Sequence, residues 1–257
     1  MMQTKNPIKT STVRALDARL QHLFEWALSA HSNSEQAFHS IWDICCDHGR
    51  LGLHLHRATH GQTTNIHLVD CVPSIIDAIH SHYASLIDQR LNVSCQDASK
   101  LTLPTHGRHL FILAGIGGGT AIEIVQNIYQ QALENNQLSE LDLEIILSPN
   151  SRIVELREFL RNGHFELLNE AFICVYGRHH EHMHLRFHPN KIHDTENKQL
   201  PSIIGDKIWQ DYCEDKVNYL EKLLDHHQRR LNLSGNNKVK PIVEAYKSAL
   251  LLQKNHQ

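Results

Sequence analysis

The chain has 257 residues, room for one substantial domain and an appendage; its hydrophobic (41%) and charged (21%) fractions are those of an ordinary water-facing protein, with no apolar run near the ~20 residues of a membrane span. A net charge of −3 excludes a generally cationic nucleic-acid binder, so any polyanion has to meet a local basic patch. The 6 cysteines lack CxxC spacing and two, Cys45 and Cys46, are adjacent, which fits reduced thiols and neither a disulfide framework nor a zinc site.

The first twenty residues are polar, carry Lys5, Lys9, Arg14 and Arg19, and have no apolar stretch of a secretion signal, so a soluble cytoplasmic protein is expected. Val13, Leu16, Leu20, Leu23, Phe24 and Leu28 recur at helical spacing and predict an amphipathic helix over 11–30. Strand and helix signals then alternate. "SIWDIC" predicts a strand over 40–45 running into the helix "RLGLHLHRA"; "NIHLVD" predicts a strand over 65–70, followed by a helix from Pro73 to about Arg90. "NVSCQD" reads as a third strand, "HLFILAGI" (109–116) as a fourth leading through glycines into "TAIEIVQNIYQQAL", and "LEIILSPN" (143–150) as a fifth before a helix closed by Gly163. This alternation implies right-handed crossovers and a doubly wound parallel sheet, an α/β fold.

The rhythm breaks at "FELLNEAFICVYGRHHEHMHLRFH", two strand-like runs around a turn at Gly177 with no room for a helix. A parallel sheet ending in an antiparallel hairpin is, by analogy of fold, the layout of the Rossmann-like methyltransferases. Residues 191–205 read as a linker, and 206–257 as a small helical hairpin with Ile208, Tyr212, Val217, Leu220, Leu224 and Leu231 on one stripe. The expected organisation is therefore a catalytic domain over 1–190 with its N-terminal helix, a linker, and a two-helix, coiled-coil-like C-terminal domain.

Asp43, Asp70 and Asp97 fall at the carboxyl ends of three successive strands, the edge where open α/β sheets bind ligands. An acid at the end of the second strand suits ribose hydroxyls, and one after the third can reach an adenine ring. In the first loop only Gly49 and Gly52 are glycines; Cys45 and Cys46 are small enough for fairly close approach but are expected to resist positive φ. Gly115, Gly117, Gly118 and Gly119 make a bent turn into a helix N-terminus without the GKS or GKT of a phosphate loop. Asn150 suits either a helix N-cap or a contact to a base. His180, His182 and His184 alternate and share one strand face, a spacing compatible with metal ligation; the 22 histidines as a whole read as compositional drift.

"DICCDHGRLGLHL", "LAGIGGGTAIEIV" and "LSPNSRIVELREFL", in that order, resemble the bacterial tRNA (adenine-22-N1)-methyltransferase family, with its D-I-G-S-D-H-A-Y-L, A-G-M-G-G and L-Q-P-N motifs. "VRALDARLQHLFEWA" is similar to that family's opening helix, and a two-helix coiled coil is its usual finish. The resemblance implies S-adenosyl-L-methionine (SAM) held by Asp43, Cys45, Gly49, Asp70, Cys71, Asp97, Ala98, Ala114, Gly115, Gly117 and Gly118. It places Asp47, which stands at the third glycine of the usual methyltransferase loop, with His48 and Asn150 around the transferred methyl group. The implied activity is methylation of adenine N1 in tRNA; on the helices, Arg14, Arg19, Arg229, Arg230, Lys238 and Lys240 read either as contacts that track phosphates or as solvated charge. The expected partner is tRNA, with no DNA or membrane and a monomeric state; the hairpin histidines correspond to the family's last strand, so no metal is expected. Departures are Cys45 for the first loop glycine, Cys46 for serine, "VDC" for G-E-V, Ile116 for methionine and Ser148 for glutamine. They leave open a family member acting on another RNA or base, or a non-catalytic SAM- or RNA-binding relic.

Overall fold

Runs such as "HLFIL" and "LEIIL" have no polar face because their strands are covered on both sides, which is the signature of a parallel sheet. The computed structural model describes residues 12–32, 36–102, 106–135, 137, 139–161, 163–189, 199–205 and 207–255; residues 1–11, the linker stretch 190–198 and Asp206 lie outside the described residues. Strands β1 (Ser40–Ile44), β2 (Asn65–Asp70), β3 (Leu91–Cys95), β4 (Arg108–Ala114) and β5 (Asp142–Ser148) are mutually parallel. The hairpin β6 (Phe165–Val175) and β7 (Arg178–Phe187) completes a seven-stranded sheet in the order β3-β2-β1-β4-β5-β7-β6, with β7 antiparallel to both neighbours. This is the Rossmann-like methyltransferase fold. In register, Ile44 stands beside Val69 and Leu113, Asp70 beside Cys95, and Ala114 beside Ser148, so the carboxyl ends form one rim.

Helices α1 (Ala18–Ser32), α2 (Arg50–Ala58) and α3 (Pro73–Tyr83) cover one face, Leu23, Leu53, Leu55 and Ile79 packing with Ile66 of β2. Helices α4 (Gly118–Glu134) and α5 (Ile153–Arg161) cover the other through Ile124, Val125, Leu156 and Leu160. At the C-terminus, α6 (Glu214–Ser234) and α7 (Lys240–Asn255) bury Leu220, Ile242 and Tyr246 in a third cluster with Val154 of α5, Ile208 and Trp209. Among the described residues no helix is long and apolar enough to cross a membrane.

Strand ends fall within one or two residues of the sequence expectation, and the larger helix differences have local reasons. The first helix begins at Ala18, because Asp17 Oδ1 accepts from the Leu20 amide at 2.9 Å and caps it; Val13 and Leu16 pack onto the same core from outside the helix. The helix from Pro73 ends at Tyr83, since Asp88 Oδ1 accepts from the amides of Arg90 (2.8 Å) and Leu91 (3.1 Å) and turns the chain into β3. Ile208 and Trp209 sit in a 3₁₀ turn (Lys207–Trp209) ahead of α6. Gln253 of α7, itself fully buried, accepts from the Cys213 amide (3.1 Å) and donates to the carbonyls of Trp209 (2.6 Å) and Asp211 (3.0 Å), fixing that entry.

Candidate active site

The loop after β1 turns by alternation of left-handed residues: Cys45 (φ 56°), Asp47 (φ 51°) and Gly49 (φ 65°). Contrary to the sequence expectation, Cys45 adopts positive φ, at a local cost of about 1–2 kcal/mol. Hydrogen bonds hold it there. The Cys46 amide donates to Val69 O (3.0 Å), Gly49 N to Cys46 O (2.9 Å), and Asp47 N to Asp70 Oδ2 (3.0 Å). Asp70 Oδ1 accepts from the Val72 amide at 3.0 Å. Each oxygen of this carboxylate thus holds one backbone amide and retains a further acceptor site.

Asp43 lies beneath the loop, 4% exposed, accepting from Gly52 N at 2.9 Å. Burial raises its carboxyl to about 7, against the Gly52 hydrogen bond and the charge of Arg19. Asp47 and His48 are exposed at the loop tip, His48 Nε2 lying 3.7 Å from Asp47 Oδ1. The Cys45 thiol lies among Asp70, Cys71, Asp43 and Asp97, and burial raises it to about 11. Asp97 follows β3 and caps the 3₁₀ turn Ala98–Lys100, accepting from Ser99 N (3.0 Å) and Ser99 Oγ (2.8 Å); those hydrogen bonds hold its carboxyl below the ordinary range.

At the neighbouring strand ends, Asn150 Nδ2 donates to Gly115 O at 2.8 Å, which joins the turns after β4 and β5. Gly115 (φ 78°) is the open glycine: a Cβ there would lie 3.5 Å from Arg19 Nη1. The other glycines of the two turns are needed for packing. A Cβ on Gly49 would meet Leu68 and Ile79, one on Gly118 would come within 2.5 Å of Arg152 O, and Gly117 packs against Ser151 Oγ.

Two cavities open along this rim. A small one of about 60 Å³ is lined by Arg19, Asp43, Cys45, Asp47, His48 and Ala114, among others. A larger one of about 520 Å³ lies between Asp17, Arg19, Gly115 and Asn150 on one side and the β6–β7 turn on the other, where Val175, Tyr176, Arg178 and His180 form its wall. Arg19 lines both. Its Nη1 is buried without a hydrogen-bond partner among the described residues, and burial pulls the guanidinium below its ordinary range. Arg19, expected among the phosphate contacts of the first helix, lines this crevice, half-buried in the first turn of α1. Tyr176, 97% exposed on a turn where it and Gly177 both take positive φ, carried no pattern that sequence periodicity could register.

The remaining basic residues divide. Arg14 is exposed and lines a hollow with His48, Arg50 and His82. Arg229 is paired with Asp225 (2.6 Å) and Arg230 with Glu155 (3.6 Å), so these two expected phosphate contacts carry partners already. Lys238 and Lys240 are exposed at the turn into α7. From Asn150 a further hollow of about 410 Å³ runs past Arg152 to His226 and Arg230 on α6. The alternating hairpin histidines do not converge: His180 lines the crevice, His182 is buried with its Nδ1 3.0 Å from His22 Nδ1, and His184 Nε2 pairs with Glu144 at 2.7 Å.

A family model described as a methyltransferase domain matches residues 27–183. No curated protein matches the chain by sequence. Among solved structures, M. capricolum TrmK in complex with S-adenosyl-homocysteine is similar with a TM-score of 0.66 and 16% identity, over 93% of this chain and 99% of that one. The B. subtilis m1A22 tRNA methyltransferase TrmK is similar at 0.64 and 16%, over 95% and 99%. Sp1610 of Streptococcus pneumoniae in complex with S-adenosyl-L-methionine is similar at 0.65 and 14%, over 92% and 100%. The likeness is one of fold, extending over nearly the whole of both chains.

Proposed function

The chain belongs to the methyltransferase-domain family, and from that premise we propose that it transfers a methyl group from SAM to N1 of an adenine in tRNA. The observation that carries this is the rim itself: Arg19, whose Nη1 has no partner among the described residues, lines both the cavity of Asp47 and the cavity of Gly115, and the Asp47 amide ties that loop to Asp70, in a fold shared end to end with a tRNA m1A22 methyltransferase.

The residues fit SAM. Arg19 Nη1, buried and without a partner beside the open Gly115, suits the ligand's carboxylate. Asp70 keeps acceptor sites for two ribose hydroxyls, and Asp97 with Ala98 borders the place of the adenine. Cys45 narrows this end with a thiol where a glycine would leave space. Bound SAM supplies an electrophilic methyl group. Asp47 faces the developing positive charge on the methylated base and accepts from its exocyclic amine. Asn150, tied to Gly115 through Nδ2, presents Oδ1 from a fixed amide. Tyr176 offers an aromatic face for a splayed-out base, since adenine N1 is inaccessible while paired. Positioning the ring in line with the methyl is the main task, because N1 already carries an in-plane lone pair. Arg14 and Arg50 on one side, and Arg152 with Lys238 and Lys240 on the other, offer cations for the tRNA backbone. The 1–190, linker and 206–257 division fits this reading, the helical pair extending the RNA path beyond Asn150.

The test is mass-spectrometric mapping of adenosines in bulk tRNA incubated with the protein and methyl-labelled SAM. Label at N1 of one adenosine is expected. Label on another base or another RNA favours the relative of altered substrate, and saturable SAM binding without label in any RNA favours the relic.

A further inference from the structure

We propose that Cys174, His179 and Asp215 form a binding site for one thiophilic divalent metal ion, of the zinc class, that fastens the tip of the β6–β7 hairpin to the first turn of α6. These residues come from three elements: the end of β6, the start of β7, and the second position of α6. One ligand atom from each lies within 4.8 Å of the other two, the one such group of His, Cys, Asp or Glu among the described residues. Ligands bound to tetrahedral zinc at about 2.0–2.3 Å stand roughly 3.5 Å apart, so the three need to close by about an ångström.

The surroundings are those of a ligand set. Cys174 and His179 are directly paired across the hairpin, so their side chains share a face. The Cys174 thiol donates to Asp215 and accepts from the Gly177 amide; burial and Asp215 hold it above the ordinary thiol range, so a metal has to displace its proton. Metal binding would release that proton and leave both anionic groups on the cation. The His179 ring is held between Phe172 (centroids 5.7 Å) and Tyr219 (5.0 Å), which fixes its direction. Lys222, on the adjoining open cavity of about 550 Å³, repels a cation, while Glu221 and Asp225 on the same cavity are paired with Lys254 (2.8 Å) and Arg229 (2.6 Å). A thiolate, an imidazole and a carboxylate select zinc over magnesium or calcium, which take oxygen.

The site has a functional position. Val175, Tyr176 and Arg178, the wall of the crevice, occupy the turn between Cys174 and His179. A metal there would lock that wall to the helical pair.

The experiment uses the full chain, stripped with a chelator and titrated with Co²⁺, whose thiolate charge-transfer and tetrahedral d–d bands separate this site from binding to scattered histidines. One equivalent is expected to saturate both bands, and Zn²⁺ to displace it. C174S should lose the charge-transfer band and H179Q should weaken Co²⁺ binding at least a hundredfold, whereas C71S keeps both. Zn²⁺ should raise the melting temperature of the wild type and not that of H179Q. Absence of the charge-transfer band, its persistence in C174S, or its loss in C71S overturns the proposal. The readout needs neither SAM nor tRNA, so it stands or falls apart from the methyltransferase reading.

Discussion

Replacing Arg157 by alanine is expected to cost about 3–5 kcal/mol of stability, because it strips the shared partner from two buried carboxylates. Arg157 on α5 is fully buried, with Nε and Nη2 donating to Glu181 Oε2 at 3.1 and 2.8 Å and Nη1 to Glu170 Oε2 at 2.9 Å. The side chains of both acids are 0% exposed. Without the guanidinium, Glu181 keeps the Tyr219 hydroxyl (3.2 Å) and Glu170 the Lys207 amide (2.7 Å), each a neutral donor. The group carries one negative charge in excess, and burial already holds the Glu181 carboxyl above its ordinary range despite Arg157. For a chain of this size the loss corresponds to a melting temperature lower by on the order of 10 °C. Urea denaturation followed by circular dichroism measures it, with Arg157→Lys intermediate because an ammonium cannot span both acids as a fork. A loss below about 1 kcal/mol in Arg157→Ala would refute the idea that this buried triad fastens α5 to the hairpin.

Asp47→Ala should keep SAM affinity, since the Asp47 contact to Asp70 is made by its backbone amide, but lose methyl transfer by about a hundredfold or more, read by calorimetry and labelled-methyl incorporation; full transfer contradicts the assigned role. Gly52→Ala should destabilise by about 1–3 kcal/mol in thermal unfolding, because its Cβ would sit 2.0 Å from Leu68 Cδ2 and 3.2 Å from Asp43 Cβ; an unchanged melting temperature defeats this. Stability should fall on acidification from about pH 6.5 towards 4. Burial lowers His67, His109 and His227 to about 4 and His182 to about 3, so the unfolded chain binds protons there that the fold refuses, at up to about 1.4 kcal/mol per pH unit for each. Asp43, raised to about 7, acts oppositely in that window, as do the raised carboxyls of Glu181 and Asp142, against the four histidines and the lowered Glu144. A urea midpoint at pH 5 equal to or above that at pH 7 would be the wrong sign.

The parallel strands were legible because burial on both faces imposes continuous apolar runs, and β2 was read over its observed bounds from "NIHLVD". The acids at the strand tips were legible for the same reason: once a strand ends, topology fixes which edge its next residue joins. Helix boundaries were less so. Periodicity extended the first helix to residue 11, while its start is set by Asp17, a single capping side chain. Arg19 looked like a surface cation because helical spacing gives its face but not that Gly115 lies across from it. Cys45 was expected to refuse a left-handed turn, yet the flanking hydrogen bonds from Cys46 and Asp47 outweigh its intrinsic preference. Cys174, His179 and Asp215 were invisible as a group, since they converge only when a hairpin turn meets a helix distant in sequence.

Calorimetric titration of SAM into the wild-type protein tests the crevice most directly. Saturable heat at one ligand per chain, weakened at least tenfold when Arg19 is replaced by alanine, is the predicted result. No heat at millimolar SAM, or an Arg19→Ala variant that binds as tightly as the wild type, would contradict it.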